Sequence, residues 1–164
     1  SSFKRALLAM QPGDTLVASQ LAGDFTLPKN KQQPLAFIAG GIGVTPFRSM
    51  IRYLLDTNQK RDIILFYACA SPADFAYREL FEEARKKIGV KNIYIASVPK
   101  GEKPGWISYT GYLREEIFKK EIPDLQERIW YLSGPNAMVE SYKRLLRSLH
   151  VRRTRIRTDY FPGF

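Results

Sequence analysis

A chain of 164 residues with a 45% apolar share can build one α/β domain with a full core, or a domain plus a fragment of another, and is too apolar to be disordered. No apolar run approaches the roughly 18 residues of a membrane span, no secretory leader is visible, and a single cysteine, Cys69, excludes an internal disulfide and suits the cytoplasm or the cytoplasmic face of a larger protein. The net charge of +10 is uneven: residues 143–164 hold seven Lys/Arg against one acid, Asp159, a cluster suited to an acidic protein, a phosphate cofactor or nucleic acid, or to a plain solvated surface.

The chain opens without a methionine, as an excised piece would. Ser1 or Ser2 can cap a short helix through Phe3, Ala6, Leu7 and Met10, ended by Gln11-Pro12-Gly13. Residues 15–18 read as a strand, 23–28 as a second extended piece and 29–34 as a polar loop. A helix and two strands in so short a stretch cannot close a core. Residues 1–34 are therefore expected to be the tail of a preceding β-rich domain, and 35–164 a separate α/β domain.

From Leu35 the pattern alternates between strand and helix. Residues 35–39 are continuously apolar, the signature of a strand covered on both faces, and Gly40-Gly41-Ile42-Gly43 follows as a bare turn. Val44 leads to Thr45, a candidate helix cap, and Pro46, which suits a first helical position; Phe47, Met50, Ile51, Leu54 and Leu55 then form an apolar stripe to about residue 56. A strand, a glycine turn and a helix N-terminus together gather backbone N–H groups and a dipole at one point, which suits a pyrophosphate. The competing reading is an ordinary tight turn.

A second strand is expected at 63–68, followed by a helix from Ser71-Pro72 through Phe75, Leu80, Phe81, Ala84 and Ile88 that closes at Gly89. A third strand at 93–98 runs into a long loop, 99–108, of the length that often binds ligands. A helix at about 110–120, a strand at 129–132, a helix entered by Gly134-Pro135 and running to Leu149, and a last strand at 155–158 complete the series. Five strands alternating with four helices predict a doubly wound, five-stranded parallel sheet. Such sheets bind ligands where the strand order reverses. A reversal between the first and fourth strands would make neighbours of turns 40–46 and 133–138.

The combination resembles the nicotinamide-nucleotide-binding domain of the ferredoxin–NADP(+) reductase family. The resemblance rests on Ala39-Gly40-Gly41-Ile42-Gly43-Val44-Thr45-Pro46 after one strand, Leu132-Ser133-Gly134-Pro135-Asn136-Ala137-Met138 after another, Tyr77-Arg78-Glu79-Leu80, and the terminal aromatic Phe164. Upstream, Ser2-Phe3-Lys4, Pro12-Gly13-Asp14 and Gly23 to Pro28 look like the end of that family's flavin-binding barrel. Pro46 stands where the third glycine of the commoner dinucleotide fingerprint would be, which sets this turn apart from ordinary NAD dehydrogenases.

The resemblance implies an FAD-dependent NAD(P)H oxidoreductase in which hydride passes from the nicotinamide to the flavin and electrons continue to a carrier. It implies that Gly40, Gly41, Gly43 and Val44 carry the pyrophosphate, with Thr45 and Pro46 beside the nicotinamide. Gly134, Pro135 and Met138 would line the opposite wall, and Ser2 would lie at the flavin. Ser133 occupies a place where many relatives have cysteine, so its part is polarity and positioning. Phe164 is the aromatic expected against the flavin ring, with Phe161 as core. Ser97 follows the third strand, where NADPH-selective relatives add an arginine; here Val98-Pro99 follows, and no acid at 97–100 awaits a ribose hydroxyl. Lys100 and Lys103 are the only nearby cations in that loop, and NADH is slightly favoured. FAD is expected to be held mostly by residues upstream of this chain, and an acidic ferredoxin- or flavodoxin-type carrier would meet the basic C-terminal region.

Three residues have plainer readings. Cys69 is a small buried filler, His150 closes a helix or faces solvent, and Met138 is equally a core residue. No Cys/His cluster with metal-ligand spacing is present. Two rival functions stand beside the reductase: a non-catalytic nucleotide-binding module that docks a partner, and a nucleic-acid binder, which no RNA signature or zinc finger supports.

Overall fold

The computed structural model describes residues 2–17, 23–99 and 102–160. Its centre is a parallel sheet in the order β4-β3-β2-β1-β5-β6, with β1 Leu35–Gly40, β2 Ile63–Cys69, β3 Lys91–Ala96, β4 Tyr109–Thr110, β5 Ile129–Gly134 and β6 Ile156–Tyr160. The chain steps outward from β1 to β4 on one side, then returns to lay β5 and β6 on the other. The reversal falls between β1 and β5, where Ala39 pairs with Ser133. All six residues of β1 are buried, as its unbroken apolar run predicts.

Side chains alternate across the sheet into two cores. Phe37 and Tyr131 face α2 (Thr45–Asp56) and α3 (Arg78–Ile88), and Phe37 stacks on Phe47 at 4.6 Å between ring centroids. Phe66, Trp130 and Leu132 face α4 (Glu115–Glu121) and α5 (Asn136–Ser148), with Phe118 edge-on to both Phe66 and Trp130. Aromatic rings in these tilted arrangements fill the interlayer space while keeping favourable edge-to-face geometry.

The expected doubly wound sheet is present with one strand more than the sequence pattern suggests. β4 has only two residues, too few to leave an alternation, and it is held by pairing to β3. The helix expected from residue 110 accordingly begins at Glu115. The helix expected from Ser71 is also interrupted. Ser71 caps a 3-10 turn, Pro72–Asp74, through a reciprocal pair of hydrogen bonds with Asp74, and Phe75 is extended. Tyr77 takes a left-handed conformation (φ 58°) before α3 starts. The start expected at Ser71-Pro72 therefore serves a single turn, and the helix itself begins at Arg78. At the end of α5, His150 adopts φ 64° and its N–H donates to the Arg147 carbonyl, closing the helix.

Upstream, α1 (Ser2–Ala9) is helical as expected and wholly exposed, with Phe3 and Leu8 among its solvent-facing apolar residues. The described parts of the two predicted upstream strands, 15–17 and 23–28, pair with none of the described strands. Residue 18 lies outside the described residues. The second piece is nevertheless fastened to the α/β domain. Phe25 packs against Phe47 and Tyr131, the Tyr131 hydroxyl donates to the Thr26 carbonyl at 2.6 Å, Arg157 donates to the same carbonyl at 2.8 Å, and Arg61 donates to the Pro28 carbonyl.

Candidate functional site

A cavity of about 800 Å³ opens at the carboxyl edge of the sheet. The glycine turn after β1 forms one side through Gly40, Gly41 and Ile42, and Pro135 and Met138 close it from the start of α5. Cys69 at the end of β2, Asp74 in the turn after it, and Ser97, Gly111 and Tyr112, beyond β3 and β4, contribute further wall. The volume and the largely apolar lining are those of a small-molecule site. Its position is where an open parallel sheet with a reversed strand order binds ligands.

The two turns meet backbone to backbone. A Cβ placed on Gly43 would overlap the Ser133 carbonyl and stand 2.6 Å from the Gly134 Cα, so only glycine allows the approach. At Gly41 the reason differs: its φ is +52° and a Cβ would meet open space at a residue that lines the cavity. This is a cradle in which the backbone itself faces a ligand. Between Gly40 and α2 the chain makes a 3-10 turn, Gly41–Val44, rather than entering the α-helix directly. Thr45 is therefore the first α-helical residue and Val44 the cap, a correction to the expected Thr45 cap. The Thr45 hydroxyl donates to the Ile42 carbonyl at 3.1 Å, which fixes the side chain and leaves its oxygen lone pairs to accept.

Of the residues singled out from the sequence, Gly40, Gly41, Ser97, Pro135 and Met138 line the cavity. Gly43, Val44, Ser133 and Gly134 are buried beneath it, where the two turns pack, and Thr45 and Pro46 are half-buried at the start of α2. Ser133 is fully buried, and its Oγ has no hydrogen-bond partner among the described residues. Ser2 is exposed on α1 and is not part of the cavity wall. Lys100, Phe161 and Phe164 lie outside the described residues.

Among the wall residues not picked out as ligand contacts are Cys69, Asp74, Gly111 and Tyr112. Cys69 ends β2, Asp74 lies in the turn after it, and Gly111 and Tyr112 follow β4, so all four sit at the carboxyl edge of the sheet. Cys69 is half-buried at the cavity rather than a core filler; its thiol donates to the Asp74 carbonyl at 3.6 Å. Burial pushes that thiol up to about 11. Tyr112 is 75% exposed and offers an aromatic face at the cavity mouth. Behind it, Tyr142 is buried, and burial raises its hydroxyl above the ordinary phenol value.

A dinucleotide fits this donor set: an open backbone cradle at the glycine turn, an apolar chamber, and aromatic and hydroxyl groups at its far side. Among the described residues no helix is long and apolar enough to cross a membrane.

Comparison with known proteins agrees. The family model described as the oxidoreductase NAD-binding domain matches residues 37–144. The chain is 28% identical over 141 residues to the glycine betaine monooxygenase reductase subunit of Chromohalobacter salexigens, covering 85% of this chain and 38% of that protein. It is 29% identical over 158 residues to the flavohemoprotein of Oceanobacillus iheyensis, covering 93% of this chain and 37% of that protein. The chain thus spans less than two fifths of the length of these curated relatives. In fold it resembles the flavohem-like FAD/NAD binding domain of nitric oxide dioxygenase from Vibrio cholerae, with a TM-score of 0.72 at 22% identity, covering 85% of this chain and 55% of that one. A match across two spaced turns, the strand order between them and most of the chain leads to one assignment: the chain belongs to the oxidoreductase NAD-binding domain family.

Proposed function

We propose that this chain is the nucleotide-binding part of an FAD-dependent NAD(P)H oxidoreductase that passes electrons onward to a carrier. The observation that carries the reading is the contact between the turns after β1 and β5, which makes one floor under one cavity. When bound, nicotinamide and flavin supply the chemistry, a hydride passed from one ring to the other and electrons then released singly. The protein's contribution is alignment and exclusion of water. Gly40, Gly41 and the turn behind them receive the pyrophosphate, Pro135 and Met138 hold the opposite side, and Tyr112 stacks on a base. Thr45, half-buried at the start of α2, and Ser133, buried in the floor behind it, are the residues that position the nicotinamide end.

In this reading residues 1–34 are the end of a flavin-binding barrel and 35–164 the nucleotide domain. The exposed apolar face of α1 is what such a barrel would cover, and Ser2 lies toward the flavin, which upstream residues mostly hold. Phe164 supplies the aromatic over the flavin ring. A free Cys69 accords with a cytoplasmic setting.

The basic C-terminal region supports an acidic carrier as partner. Lys143 pairs with Glu140, Arg155 donates to the Glu127 carbonyl, and Arg157 donates to Thr26 and Tyr131. Arg144, Arg147, Arg152 and Arg153 are exposed and carry no ion pair among the described residues, so these four are the steering charges.

The test is rapid mixing of the full-length protein, flavin loaded, with NADH and with NADPH while the flavin absorbance is followed. Bleaching within the dead time to seconds is expected. Dinucleotide binding with no bleaching would replace the reductase with a non-catalytic binding module.

A further inference from the structure

Asp74 is the one acidic residue among the described residues that line the cavity, and no described lining residue is a lysine or arginine. Its carboxylate is fixed: Oδ2 accepts the Ser71 N–H at 3.0 Å as half of the capping pair that shapes the turn after β2. No hydrogen bond occupies Oδ1 and no lysine or arginine pairs with the group among the described residues. Two described cations of the neighbourhood are engaged elsewhere, and Lys100 lies outside the described residues. Lys103 Nζ donates to the Ile107 carbonyl at 2.8 Å and also to that of Ser108, and the Arg78 guanidinium lies 4.6 Å over the Trp106 ring.

In the dinucleotide reading of the cavity, this carboxylate falls on the nucleoside side. Cys69 pairs with Ala96, so the turn carrying Asp74 leaves the sheet beside Ser97, across the cavity from Pro135 and Met138. Asp74 is exposed at the rim of the cavity, and a fixed carboxylate there can accept hydrogen bonds from a sugar diol and repels a phosphate ester at the same place.

Resting on the reading of the cavity as a dinucleotide site, we propose that Asp74 is its specificity-determining residue. It accepts a hydrogen bond from the 2′-hydroxyl of the adenosine ribose and rejects the 2′-phosphate, so that the site takes NADH and turns NADPH away. The sequence offers no acid at residues 97–100 for this part; the fold brings one from the end of the neighbouring strand instead.

The test titrates the full-length protein with NADH, NADPH and NADH lacking the adenosine 2′-hydroxyl, in the wild type and in Asp74→Asn, which retains an acceptor for the Ser71 N–H. Removing the hydroxyl is expected to weaken wild-type binding about tenfold, the scale of a hydrogen bond to a charged group. NADPH is expected to bind wild type at least about tenfold more weakly than NADH, and both gaps to shrink to about threefold in Asp74→Asn as the charge is lost. Equal binding of NADH and its deoxy analogue by wild type overturns the proposal without any variant and leaves the dinucleotide site standing. Unchanged gaps in an Asp74→Asn protein that still binds NADH do the same. Failure of wild type to bind either dinucleotide overturns the site assignment along with the proposal.

Discussion

At the amino ends of the strands the sheet is closed by charge. Arg128, 5% exposed, donates to the Leu35 carbonyl at the start of β1 and pairs with Asp62 before β2 and with Asp124, each at 2.8 Å. Arg61 reaches across to the Pro28 carbonyl at the same edge. At the carboxyl ends the sheet is closed by the absence of side chains: Gly40, Gly43 and Gly134 let two turns and Met138 pack where any Cβ would collide. One edge is clamped by directional ionic hydrogen bonds. The other is left with backbone and apolar surface around an open chamber. Charge that is satisfied internally contributes to stability; backbone left facing a chamber contributes to binding.

Removing the clamp tests the first half of that contrast. Arg128→Ala leaves the Leu35 carbonyl without its donor and two carboxylates without their partner, though Asp62 is exposed enough to be rehydrated. A loss of about 3 kcal/mol is expected in urea unfolding, with dinucleotide affinity unchanged in the folded protein. Filling the close approach tests the second half. Gly43→Ala drives a methyl into the Ser133 carbonyl, and because that neighbour is backbone it cannot rotate away. About 2 kcal/mol of stability is expected to be lost, together with dinucleotide binding, since β1 and β5 must part to admit the group.

Gly41→Ala separates binding from packing. A methyl there meets no atom, so the cost is that of a left-handed backbone, about 1 kcal/mol. Dinucleotide affinity should fall more than stability does, read by titration beside thermal unfolding. If both fell in step, the backbone at this turn would be serving structure alone. The smallest effect concerns Cys69. Because burial holds its thiol up to about 11, it stays protonated at neutral pH. Iodoacetamide should label it slowly there, faster as pH rises toward that value, and more slowly again with dinucleotide bound. Rapid labelling at neutral pH, indifferent to ligand, would remove Cys69 from the cavity wall.

The glycine floor was legible in the sequence because its constraints are local. Gly40 to Pro46 and Ser133 to Met138 each announce a turn into a helix, and parallel winding left few strand orders that could bring them together. The far wall was not legible. Asp74 read as part of a helix, since Ser71-Pro72 is a good helix start and nothing in the chain says that the first turn stops there. Tyr112 was hidden behind β4, whose two residues carry no periodicity and are strand only because β3 offers an edge. Cys69 read as filler because its strand is apolar throughout, and where such a strand emerges from the core is set by its neighbours. The upstream strands failed for the converse reason: extended sequence becomes a strand only beside a partner.

The attachment of β4 has a further consequence for how this site can diversify. The half of the chamber over β1 and β5 is set in fused main chain, and a change there disturbs the middle of the ladder. The part bearing Gly111 and Tyr112 hangs from a two-residue edge pairing. Substitutions in that outer margin therefore disturb less of the ladder than substitutions over β1 and β5.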